Sequence, residues 1–88
     1  MDFEYDPKKS ESNKEKHGID FEEAQMLWDS RYITIPVEHD FGEQRFIVIG
    51  TLKERCWTAV ITYRGERIRI ISVRRSRKNE EAFYGKED

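Results

Sequence analysis

The chain has 88 residues, of which 36% are apolar, 39% charged and 12% aromatic, and its formal net charge is −2. This allows one domain, residues 1–88, with a modest core, and it is not the composition of a disordered chain. The lone cysteine, Cys56, excludes an internal disulfide and argues against a cysteine zinc site, and no stretch approaches the roughly 18 apolar residues of a membrane span or the pattern of a signal peptide, so a soluble cytoplasmic protein is expected.

Residues 2–5 alternate acid and aromatic, as a short edge strand would. Asp6-Pro7 then starts a helix, with aspartate as N-cap and proline at the first helical position, where its missing N–H has no partner to lose. This helix has no large apolar residue on any face, so burial alone cannot hold it. Its least charged stripe is Ser10, Asn13 and His17, which is expected to face inward and to line a site. His17-Gly18 closes the helix. Asp20, with Glu23 three residues on, opens a second helix whose apolar face is Phe21, Ala24 and Leu27 or Trp28.

From Arg31 the period changes to two. Strands are expected over residues 32–37, 45–52, 56–63 and 67–74, with Pro36 placing the first at an edge or an end. The connections are a turn over residues 39–43, the charged Lys53-Glu54-Arg55, and a hairpin at Arg64-Gly65-Glu66. Three short connections in succession mean an antiparallel meander. On the last strand, strict alternation puts Ile68, Ile70 and Ser72 on one face and Arg67, Arg69, Ile71 and Val73 on the other. Ser76 is placed to cap a final helix from residue 77 to about 84. Cys56 beside Trp57 reads as a structural thiol, and His39 as a turn residue without a role.

Charge is segregated along the chain. Residues 1–30 carry net −5, residues 64–78 net +6, and residues 79–88 net −3. The basic stretch, RGERIRIISVRRSRK, combines a strand with a row of guanidinium groups, whose forks match phosphate oxygens and stay charged at neutral pH. Taken together the set points to a polyanion or an acidic partner, although each arginine alone fits a solvated strand face.

The N-terminal FEYDPKKSESNKEKHGIDFEEA and the C-terminal RIRIISVRR, followed by Glu80 and Tyr84, resemble the two signatures of the BrnT family of bacterial type II toxins. Between them they span nearly the whole chain. The resemblance implies an α+β, RelE-like fold: a small antiparallel sheet with two N-terminal helices and one C-terminal helix. It implies a ribosome-independent endoribonuclease that inhibits translation and is neutralised by a ribbon-helix-helix, BrnA-like antitoxin. The pair would form a hetero-oligomer that meets promoter DNA only through the antitoxin. The matching positions are Lys9, Asn13, Lys16 and His17 in the first motif and Arg67, Arg69, Ser72, Arg74, Arg75, Glu80 and Tyr84 in the second.

RNA cleavage without a metal needs a base for the 2′-hydroxyl, cations for the pentacovalent phosphate and an acid for the leaving oxygen. No carboxylate cluster indicates a metal site, so neither metal nor other cofactor is expected. Arg67 and Arg69, with Arg74 or Arg75, are expected to hold the phosphate, and Lys9, His17, Glu80 and Tyr84 to move protons. Lys16 and Asn13 join Arg74 and Arg75 as expected RNA contacts. This scheme requires α-helical and strand groups to converge on one phosphate-sized hollow. The alternative is a non-catalytic module that binds a partner or nucleic acid within a toxin–antitoxin repressor complex.

Overall fold

The computed structural model describes residues 1–37 and 42–86; the turn expected around His39 lies largely outside the described residues. Five strands, β1 (Asp2–Glu4), β2 (Tyr32–Val37), β3 (Arg45–Leu52), β4 (Arg55–Arg64) and β5 (Arg67–Arg75), form one sheet in the order β1-β5-β4-β3-β2. The last four make the expected meander, with Pro36 on the edge strand β2. The sheet is nevertheless mixed and not purely antiparallel, because β1 returns beside β5 in parallel, Phe3 opposite Ile68. A pairing between the two ends of the chain leaves no local signal in the sequence.

Helix α1 (Pro7–His17) has the predicted ends. The Asp6 carboxylate accepts from the Lys8 backbone N–H, and Gly18, at φ 79°, donates its own N–H to the Lys14 carbonyl. The second helix is shorter than expected: α2 covers only Phe21–Ala24 and continues as a 3-10 turn over Gln25–Asp29. Its capping box between Asp20 and Glu23 is present, and Phe21, Ala24 and Leu27 are buried. Helix α3 spans Lys78–Lys86.

Strand pairing assigns each side chain to a face. Trp57, Ala59 and Ile61 on β4 share an inner face with Ile68, Ile70 and Val73 on β5, and these pack against Ile19, Phe21, Ala24 and Leu27 as the core. Edge-to-face contacts of Phe3 with Trp28 and of Tyr5 with Phe21, at 5.0 and 5.6 Å, tie β1 to the same layer. Gly50 permits the close approach of the 3-10 turn to β3, since a Cβ there would meet the Leu27 carbonyl at 3.4 Å.

Between β4 and β5 the register slips: Val60 pairs with Ser72 and Ile61 with Ile70, leaving Ile71 as a bulge. Strict alternation therefore fails beyond Ile70. Val73 joins Ile68 and Ile70 in the core, and Ser72 and Arg74 join Arg67 and Arg69 on the outer face.

Candidate nucleic-acid interface

Because of the bulge, Arg67, Arg69, Ser72 and Arg74 form one row on the outer face, beside Thr58, Val60, Thr62 and Arg64 of β4. A regular strand would have turned Ser72 and Arg74 away from the first two arginines. At one end of the row Arg69 donates to Glu4 at 2.8 Å, and the Arg67 guanidinium lies 4.0 Å from the same carboxylate. Parallel pairing of β1 with β5 places Glu4 directly beside Arg69. Arg69 is half-buried and held, whereas Arg67 is 64% exposed at its side chain.

At the other end, helix α3 carries Glu80 over the outer face. Arg74 grips its carboxylate with both Nη atoms, at 2.8 and 2.9 Å, while the Arg77 backbone N–H and the Thr58 hydroxyl donate to Oε1 at 2.8 and 3.1 Å. The Arg74 guanidinium, foremost, holds the Glu80 carboxyl down at about 2, against the desolvation that opposes it. Its pairing raises the pKa of Arg74 in turn. A carboxylate with this pKa has no proton to donate at neutral pH and is a weak base. The proton-transfer role expected of Glu80 thus gives way to another: it orients Arg74. Tyr84, the second expected proton carrier on α3, donates its hydroxyl to the Arg31 carbonyl at 2.9 Å, and the Arg31 guanidinium stacks 3.9 Å over its ring.

Helix α1 runs along the β5 edge beyond the end of β1. Asn13 completes the ladder there: its amide donates to the carbonyls of Ile19 and Val73 at 2.8 and 2.9 Å and accepts from the Val73 N–H at 3.1 Å. Ser10 accepts from the Phe21 N–H at 2.9 Å. The inward stripe is thus a clamp and not the lining of a site, and it leaves Asn13 no free N–H for RNA. His17, expected on the stripe, is exposed. Lys9 and Lys16 are exposed too, and the three make no ion pair or hydrogen bond among the described residues.

Among the described residues, His17 and the arginine row do not meet in one cavity. His17 lines a cavity of about 400 Å³ at the end of the inner face, with Glu23, Met26, Leu52, Lys53, Arg55 and Trp57. That cavity holds none of Arg67, Arg69, Arg74, Glu80 or Tyr84. Arg75, one residue beyond Arg74, turns to the inner face and lies 5.6 Å from the Trp57 ring. The sequence reading missed Glu4, one of two acids in an edge strand, and the grouping of Lys53 and Arg55 with Trp57. The only signal for the latter was a tight hairpin without glycine or asparagine.

No helix is long and apolar enough to cross a membrane, and no group of three or more His, Cys, Asp or Glu side chains is arranged to hold a metal among the described residues. Comparison with known families finds one match: the model of the ribonuclease toxin BrnT of type II toxin–antitoxin systems covers residues 5–80. No curated protein matches the chain.

Proposed function

Since the chain belongs to the BrnT family of ribonuclease toxins of type II toxin–antitoxin systems, we propose that it is a metal-independent endoribonuclease. It acts on RNA without the ribosome, inhibits translation in the cytoplasm, and has the RelE-like architecture that its signatures imply. The observation that carries the proposal is the Ile71 bulge, which brings Arg67, Arg69 and Arg74 into line on the one sheet face that α1 and α2 leave open. Arg69 and Arg74 are separated by roughly 13 Å of strand at ~3.3 Å per residue, enough to meet different phosphates of one strand.

In this reading Arg67 and Arg69 clamp the scissile phosphate, and Glu4, already in contact with Arg69, takes the 2′-hydroxyl proton as the 2′-oxygen bonds to phosphorus and the P–O5′ bond breaks, solvent water protonating the departing 5′-oxygen. Arg74, aimed by Glu80, holds a neighbouring phosphate. Lys9 and Lys16, on the flank of α1 away from the Lys14–Glu23 pair, add charge along the β5 edge. His17 and Tyr84 take no part at this centre in this reading.

The test is incubation of the purified protein with defined RNA in EDTA, without ribosomes. Fragments ending in a cyclic phosphate are expected from the wild type, and neither Arg69→Ala nor Glu4→Gln should produce them. Absence of cleavage at every protein level removes the nuclease reading.

A second reading, docking of a partner without catalysis, is favoured by one feature: two arginines of the row, Arg69 and Arg74, already carry carboxylates. A neutralising ribbon-helix-helix antitoxin would present such groups, with promoter DNA contacted only through it. Expression in a bacterium with and without the neighbouring reading frame tests this partner. Growth arrest relieved by the neighbour is expected. An Arg69→Ala protein that loses toxicity yet still binds the partner separates the two roles of the row.

A further inference from the structure

The cavity at the end of the inner face takes no part in the proposed cleavage centre. Its lining combines the apolar Ile19, Met26, Leu52 and Trp57 with the exposed, charged Lys53 and Arg55. The one acid at its wall, Glu23, is tied to Lys14 at 2.7 Å and accepts from the Asp20 N–H at 3.0 Å, so positive charge is in excess there. At about 400 Å³ it falls within the ~300–1,000 Å³ typical of small-molecule sites.

A second observation points to the same place. Lys53 and Glu54 are the central residues of the β3–β4 hairpin and adopt φ of 54° and 66°. These are the left-handed values that asparagine and glycine fill at low cost and other residues resist. The chain therefore holds a strained turn whose first residue is a lysine of the cavity lining, and strain of this kind is retained where a side chain is needed.

We propose that this cavity is a nucleotide subsite, with the base against Met26, Leu52 and Trp57 and the phosphate on Lys53 and Arg55. The choice of occupant rests on the RNA-cleaving reading above. Arg74 and Arg75 are consecutive and face opposite sides of the sheet at the end of β5, so the end of the sheet that carries the cavity has basic groups on both faces.

The test titrates the full-length protein with the four nucleoside 5′-monophosphates, the matching nucleosides, inorganic phosphate and an acidic peptide at low salt, following backbone amide shifts. At least one nucleotide is expected to move the Leu52, Lys53 and Trp57 signals saturably and more tightly than its nucleoside or phosphate alone. Affinity should fall about tenfold in Arg55→Gln, which removes a charged hydrogen bond. The double variant Lys53→Asn, Glu54→Gly should lose affinity while melting at a higher temperature, which separates lost binding from lost folding. No saturable nucleotide shift, phosphate binding as tightly as nucleotide, a response to the acidic peptide only, or affinity unaffected in both variants would each overturn the subsite. RNA cleavage in EDTA by the same wild-type protein reports separately on the nuclease reading: nucleotide binding without cleavage sinks that reading and retains the subsite, and cleavage without nucleotide binding does the reverse.

Discussion

At Glu80 four donors converge on one carboxylate, and that convergence makes a statement about stability. Its pKa lies at about 2 in the folded protein against 4.5 ordinarily, so the folded state binds this proton less readily than the unfolded chain. The stabilisation is complete above pH ~4.5 and is lost as pH falls toward 2; a shift of this size corresponds to about 3 kcal/mol. Glu80→Gln should destabilise the protein at pH 7 by an amount of that order and flatten the acid limb of the stability curve, as urea unfolding between pH 7 and 2 would register. An unchanged acid limb would mean that Glu80 is not the group that titrates. Asn13 is the second such residue. Asn13→Ala strands the Val73 N–H and the carbonyls of Ile19 and Val73 in the interior, at a cost of about 3 kcal/mol. Asn13→Asp, equal in size but with no donor, should be no better. An RNA-contacting asparagine would lose binding with little change in the urea midpoint; here the midpoint is expected to move.

Among the elements, β5 decides the most. With the bulge at Ile71, Ser72 faces outward and Val73 lies at 0% exposure; in a regular strand they would be exchanged. In a Cys56→Ser background, Ser72→Cys should react readily with a thiol reagent and Val73→Cys should resist it until the protein unfolds. The opposite order would restore strict alternation and break the arginine row in two. This strand also marks how far the sequence could be read. The ends of α1, the capping box of α2 and the β2–β5 meander were legible because Asp6-Pro7, His17-Gly18, Asp20…Glu23 and the period-two runs are local signals. The Ile71 bulge was not, since no glycine or proline flags it and the slip is fixed by which of Val73 and Arg74 is easier to bury. The pairs Glu4–Arg69 and Asn13–Val73, 65 and 60 residues apart, were hidden for a related reason. Sequence named the arginines as a set, but the carboxylate partner of Arg69 comes from chain closure.

For the whole molecule the consequence is a division by face. The inner face is filled by α2, the 3-10 turn and the core, while the outer face is covered by α3 only toward one end and leaves Ile33, Ile35, Ile47 and Val60 half-buried beside the arginines. A chain that is acidic overall can therefore engage a polyanion through one side, with binding that is electrostatic and salt-dependent. With Arg67 and Arg69 on one phosphate of single-stranded RNA and Arg74 on the next, log K should fall against log salt with a slope of about −1.4, and Arg69→Ala should reduce its magnitude. Glu4→Gln makes the sharper prediction. It removes the carboxylate that competes with phosphate for Arg69, so labelled RNA should bind more tightly in fluorescence anisotropy while cleavage is lost, because the proposed base has gone. Weaker binding by Glu4→Gln would indicate that Glu4 serves only to hold Arg69 in place, and a slope indifferent to Arg69→Ala would move the RNA off this face altogether.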